Sequence, residues 1–307
     1  MASVPQPIAV STTPRRSRRG VPSGLAALLF LAPALILLLV FVVYPTLSSI
    51  AMSFNRGLGG QFTRWVGLDN YTQVLGSSSF VNSILNNVLW LVFYTGFVIF
   101  IGLVIAVVAM RVRYESLIKA IVFLPMAIAA TALSVIWSFV YQPDPNTGLL
   151  NAILGIFHIG PISWLGDPAF VNGALIAVGI WGSAGFATVI LSAALKGISS
   201  EILEAARTDG ANEFQIFWRI ILPMVSLPMS VLAVTLVVNV VKLFDIPFVM
   251  TAGGPGNASR VVALEFYQQY FSAGQFGKAA AVAVVMLIIL IPVMIFNIRR
   301  FRSGSVV

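Results

Sequence analysis

Apolar runs of about twenty residues recur along this chain, near 25–44, 85–110, 118–141, 169–195, 224–249 and 279–298. At about 1.5 Å of rise per residue, a helix of that length crosses the roughly 30 Å hydrocarbon layer of a bilayer. Inside that layer every backbone polar group must be satisfied within the protein, so a spanning segment is either a helix or a strand of a closed barrel. Runs this long are helices. The composition agrees: 59% of the residues are hydrophobic and 9% are charged, against about 25% charged in soluble domains. The mean hydropathy is +0.97. The chain is therefore expected to be an all-α polytopic membrane protein of about six transmembrane helices, with a basic tail over 1–22 and a transmembrane domain over 23–307.

An even number of spans puts both termini on one side, and the basic residues say which. Arg15, Arg16, Arg18, Arg19, Arg111, Arg113, Lys119, Lys196, Arg207, Arg219, Arg299, Arg300 and Arg302 fall on the side of the tail. Arg56, Arg64, Arg260 and Lys278 fall on the other, and Lys242 lies in a span. Lys and Arg accumulate on the cytoplasmic side, so both termini are expected inside. This placement accounts for the formal charge of +8 without a nucleic-acid partner. The run from Leu25 to Tyr44 is long, and no clear small-x-small cleavage site follows it, so it reads as a retained span rather than a signal peptide. The chain has no cysteine, which excludes disulfides and Cys-based metal sites.

One polar stretch, 199–228, interrupts the oil. It reads as two short helices around a sharp turn. Ser200 is placed to cap the first, with Glu201 where the helix dipole favours an anion. Asp209-Gly210 stops it, since glycine tolerates the left-handed conformation of a helix end. Asn212 opens the second, with Gln215 at capping-box spacing. Phe214, Phe217, Trp218 and Ile221 fall at helical spacing and predict one apolar face. Pro223 and Pro228 then disturb the approach to the next span. Within this stretch Glu204-Ala205-Ala206, three residues, Gly210, nine residues, Ile220, one residue and Leu222-Pro223 resemble the EAA loop of binding-protein-dependent ABC importer permeases. Seven fixed positions over some twenty residues between two spans make a specific match.

The resemblance covers the chain from the first span to the sixth and implies a type I importer permease. It places a cytoplasmic coupling loop over 199–223 that docks on a separate ATPase. Glu204 would be its polar contact, Ala205 and Ala206 its close-packed surface, and Asp209-Gly210 its elbow; Ile220, Leu222 and Pro223 complete the motif. The implied partners are a second homologous permease, two ATPase subunits carrying ATP and Mg, an extracytoplasmic solute-binding protein and membrane lipid. No cofactor is expected on this chain. Gly277-Lys278 is followed by Ala279 and lacks the upstream glycine of a phosphate-binding loop.

Two outer-side segments narrow the resemblance to carbohydrate permeases of the maltose and glycerol-phosphate class. Gly67-Leu68-Asp69-Asn70-Tyr71 is similar to their first external box. Phe244-Asp245, five residues, Thr251, one residue and Gly253-Gly254-Pro255 are similar to a second, and Lys242-Leu243-Phe244-Asp245 resembles the α-glucoside form. Lys242 and Asp245, three apart, would face each other on one helix, either as an ion pair with Lys242 snorkelling outwards or as part of the substrate path. Asn239, one turn before, carries an amide that both donates to and accepts from hydroxyls. Trp181 and Ser183 would supply a stacking face and a hydroxyl. Each of these residue types is also an ordinary packing residue. Glycine pairs among Gly179, Gly182 and Gly185 allow close helix packing.

Other classes stay in view at this point. An ion-driven secondary transporter should carry intramembrane carboxylates or broken helices at the midplane. A membrane enzyme should show paired carboxylates or a metal cluster. Asp144 and Asp167 share one external loop without a third partner, and His158 reads as a surface residue there. Glycerol phosphate as substrate would want more basic residues in the path than Lys242 alone.

Overall fold

The computed structural model describes residues 23–58, 61–110 and 112–304, so the basic tail over 1–22 and Arg111 lie outside the described residues. The described residues fall into two compact units, one ending at Ser48 and one beginning at Ser49. Four of the described helices are long and apolar enough to cross a membrane, and two bent helix pairs bring the total to six when each pair is taken as one span.

The first unit holds α1 (Ser23–Leu38), a π-helical turn (Leu39–Val43) and the start of α2 (Tyr44–Ser53). From Ala27 to Ser48 no side chain is buried, and from Ala27 to Val43 every side chain is apolar, as suits a lipid-facing span.

In the second unit, the polar region over 55–83, between the first two apolar runs, is more ordered than its glycines suggest. It holds a short antiparallel hairpin, β1 (Asn55–Leu58) and β2 (Gln61–Trp65), within the otherwise helical fold, followed by α3 (Asp69–Leu75). Asn70 organises it. Its buried amide donates to the Ser53 carbonyl at 2.8 Å and to the Asn55 carbonyl at 3.0 Å, and the Tyr71 and Ser53 hydroxyls share a 2.6 Å bond. Buried carbonyls need such donors. The second span is one long helix, α4 (Ser78–Leu89), a π turn (Trp90–Tyr94) and α5 (Thr95–Ala109).

The apolar run near 118–141 carries Pro125 and reads as one kinked helix. Instead it is broken: α6 (Glu115–Phe123) passes through a 3₁₀ turn (Leu124–Ala127) into α7 (Ala130–Val140), with the axes bent by 98°. Pro125 cannot donate to the preceding turn, and Ile128 and Ala129 are extended, with ψ of 131° and 139°. The loop that follows carries α8 (Leu149–Ile156).

The fourth span, α9 (Val171–Lys196), is the centre of the core, with Leu175, Val178, Ala187 and Leu191 fully buried. Lipid supplies no hydrophobic drive for helices to associate, so small residues that permit close approach decide where they cross. A Cβ on Gly102 of α5 would lie 2.5 Å from Ala187 Cβ, and one on Gly179 would lie 2.7 Å from the Trp90 ring. Of the glycines singled out from sequence, Gly179 and Gly185 are thus close crossing points between helices.

After α9 come α10 (Ser200–Thr208), α11 (Glu213–Ile216), a π turn (Phe217–Ile221) and α12 (Leu222–Met224). A bend of 65° at Val225 leads into α13 (Ser226–Val241), where Pro228 has no N–H for the carbonyl of Met224. The fifth span does not continue to 249 as expected. It stops at Val241, and α14 (Asp245–Thr251) is a separate short helix. Pro247 explains the break, because an unbroken helix would need its N–H for the Leu243 carbonyl and would drive its ring into that group.

Beyond α14 lie α15 (Val262–Tyr267), a π turn (Gln268–Ser272) and α16 (Phe276–Gly304), the sixth span. Three asparagines sew the loop between α14 and α15 to the spans. Asn86 donates to the carbonyls of Ala258 and Arg260, Asn172 donates to Ala258, and Asn87 accepts from the Val262 N–H while donating to the Val240 carbonyl. The box over Thr251–Pro255 belongs to this arrangement: Thr251 and Ser259 share a 2.7 Å hydroxyl bond, and Ser259 donates to the Gly254 carbonyl. Glu265, 3% exposed, is met by Arg260, Ser79 and Gln269.

Candidate functional site

The polar stretch folds as a helix–elbow–helix. Ser199, not Ser200, is the N-cap of α10: its hydroxyl accepts from the Glu201 N–H, and Ser200 is already the first helical residue. The elbow is built by backbone chemistry. The Ala211 N–H bonds the Ala206 carbonyl and the Gly210 N–H bonds the Arg207 carbonyl, a Schellman motif that places Gly210 at φ +83°, where glycine carries no steric penalty. Asn212 and Gln215 form the reciprocal capping box of α11. Arg207 Nε donates to Glu213 Oε1 at 2.9 Å and so clasps one helix to the other across the elbow. The angle between α10 and α11 is therefore set by the two caps, and a half-exposed ion pair spans it.

Glu204, Ala205 and Asp209 are exposed, and Ala206 is half-buried. The single apolar face expected for Phe214, Phe217, Trp218 and Ile221 is divided. Phe217, Ile221 and Leu222 pack against the core beside fully buried Ile216, whereas Phe214 and Trp218 are 72% and 53% exposed, with ring centres 6.1 Å apart. The π turn over Phe217–Ile221 adds a residue to the repeat and shifts the register. Ile220 is half-buried, and Pro223 is exposed.

A second feature lies within the span bundle. A cavity of about 300 Å³ is lined by Trp90, Tyr94, Ser183 and Asn239, among apolar residues of α9, α13 and the broken third span. No charged side chain lines it. The hydroxyls of Tyr94 and Ser183 share a 2.8 Å hydrogen bond, and Asn239 lines the same cavity. Ser183 and Asn239, named from sequence, are brought together here.

Trp181 is not. It lines a separate apolar cavity of about 490 Å³ on the other side of α9 and meets Trp137 edge-on at 5.5 Å. Lys242 and Asp245 are not paired, and neither lines the Tyr94 cavity. The helix break separates them: Lys242 closes α13, and Asp245 opens α14, accepting from Thr131 Oγ1 at 3.5 Å. Tyr94 and Trp90 were missed from sequence. Their signal was a phenol and an indole one turn apart in a run otherwise poor in polar side chains.

Six spans, a clasped polar elbow between two of them and an uncharged cavity with convergent hydroxyl and amide groups define a membrane permease. Residues 98–299 match the family described as binding-protein-dependent transport system inner membrane component, and the chain belongs to that family. It is 44% identical to the osmoprotective compounds uptake permease protein GgtC of Synechocystis sp., over 90% of this chain and 98% of that protein. It is 40% identical to the alpha-glucoside transport system permease protein AglF of Rhizobium meliloti, over 90% of this chain and 82% of that protein. A solved bacterial alginate ABC transporter, in complex with alginate pentasaccharide-bound periplasmic protein, shares the fold with a TM-score of 0.76 at 22% identity, over 92% of this chain and 96% of the other.

Proposed function

We propose that this importer permease moves a neutral carbohydrate, an α-glucoside or a similar polyhydroxy compound, into the cytoplasm. The observation that carries the substrate class is the uncharged cavity in which Tyr94, Ser183 and Asn239 converge. Hydroxyls and an amide match the donors and acceptors of a sugar, and buried polar groups left unmatched would reject solutes without them. The names of the relatives lend support. Glycerol phosphate, the rival substrate, would bring charge into a wall without a cation.

ATP and Mg reside on two separate ATPase subunits, and a second homologous permease completes the path. A solute-binding protein delivers the cargo from outside. The 199–223 loop and both termini face the cytoplasm. ATP closes the ATPase pair, and the loop, stiffened by the Arg207–Glu213 clasp, passes that movement to the spans as a lever. Glu204 makes the polar contact, Ala205 and Ala206 let the surfaces close, Asp209-Gly210 forms the elbow, and Ile220, Leu222 and Pro223 root it.

The test is a pull-down of the detergent-solubilised complex, wild type beside Glu204→Lys, followed by uptake into proteoliposomes. Severing a charged contact that docking buries costs about 2–5 kcal/mol, so the variant should lose the ATPase or lose uptake by more than about tenfold. Uptake of glycerol phosphate in preference to neutral glucosides would overturn the substrate class.

A further inference from the structure

Lys196 ends α9 at the foot of the 199–223 loop. Its Nζ lies 3.0 Å from Glu115 Oε1, the first residue of α6, and Glu115 also holds Lys119 one turn along its own helix. Seven residues beyond Glu115, α6 crosses α9 at Gly185. A Cβ there would lie 2.7 Å from Phe123 Cα and well inside contact with the Val122 carbonyl oxygen. The α6 rod is thus held to α9 at two points, about 10 Å apart along its axis. One contact lets two helices pivot, whereas two do not. Just past the second point the chain enters the 98° break, and Pro125, Met126, Ile128 and Ala130 of that break line the Tyr94 cavity.

We propose that Glu115 and Lys196 are positioning residues of the transport cycle. Their bridge makes α6 travel with the foot of α9, so that movement of the loop reaches the cavity wall at Pro125–Ala130. The inference rests on the reading of the loop as the element that docks the ATPase. Stability is not its purpose: Lys196 is 55% exposed, and water screens such a pair.

The absence of cysteine makes the test direct. Ile128→Cys places a single thiol on the cavity wall of this chain. The assembled transporter, with its second permease and ATPases, is treated with a maleimide, with and without ATP and vanadate, and label on this chain is counted. In the Ile128→Cys background ATP–vanadate should change the labelling rate by about five-fold or more. Lys196→Gln and Glu115→Gln should flatten that response, the two together should do no more than either alone, and Lys196→Arg should restore it. Lys119→Gln, which spares the bridge between helices, should leave the response intact. An undiminished response in both Lys196→Gln and Glu115→Gln overturns the proposal, as does a wall that ignores ATP in the parent background. ATPase retained on the parent chain is scored separately, so a failed strut is told apart from a failed docking. Variants that shed the ATPase would assign the pair to docking and also overturn its role in transmission.

Discussion

Tyr94, Ser183 and Asn239 meet in a wall that is otherwise hydrocarbon. On the proposed path, a solute hydroxyl entering the cavity would exchange hydrogen bonds with these groups. Tyr94→Phe removes the shared phenol and one hydrogen bond worth about 1 kcal/mol or a little more. It should raise the KM for uptake about fivefold to tenfold with assembly unchanged, read by initial-rate uptake across substrate concentrations. Lys242→Gln is the contrast, because Lys242 is exposed and lines no part of that wall. Its KM should stay within about twofold of wild type, and a larger change would return Lys242 to the substrate path. Gly210 sits at φ +83°, so Gly210→Ala forces a side chain into the left-handed region at a cost of about 1–2 kcal/mol. Co-purification of the ATPase should weaken, and Gly210→Asn, which tolerates that conformation better, should weaken it less.

At the scale of elements, two α9 glycines give opposite expectations. Gly185 is covered by the α6 backbone, whereas a Cβ on Gly173 would meet nothing within 4 Å. Gly185→Ala should force the α6–α9 crossing apart and lower the thermal midpoint in detergent by the effect of about 1–3 kcal/mol of overpacking. Gly173→Ala should raise it slightly, since alanine is favoured over glycine within a helix by up to about 1 kcal/mol. Equal midpoints would contradict the crossing. The elements also show where sequence reading reaches and where it stops. Hydropathy located every span, and the turn chemistry of Gly210, Asn212 and Gln215 was legible because caps are local interactions. The breaks after Phe123 and Val241 were visible only as Pro125 and Pro247, and a proline inside an apolar run does not say whether the helix kinks or ends. Tyr94 reached the site through tertiary packing, which residue spacing within one segment does not encode. Lys242 and Asp245 misled because their spacing matters only on an unbroken helix.

For the whole molecule, the distribution of Lys and Arg expects the 199–223 loop inside and the loops around Asp144 and Ser259 outside. Asp209→Cys and Asp144→Cys, each alone in a chain without cysteine, should react with a membrane-impermeant maleimide from opposite sides of intact cells: Asp144→Cys at once, and Asp209→Cys only after permeabilisation. The reverse pattern would invert the topology and with it the docking of an ATPase at Glu204. The outer loop adds a consequence for exchange between relatives. Its carbonyls at Ala258 and Arg260 are matched to amides on α4 and α9, so it is tailored to its seat rather than self-contained. A chimaera that receives the 252–261 segment alone would inherit acceptors without donors; one that receives Asn86, Asn87 and Asn172 with it would inherit a complete fastening.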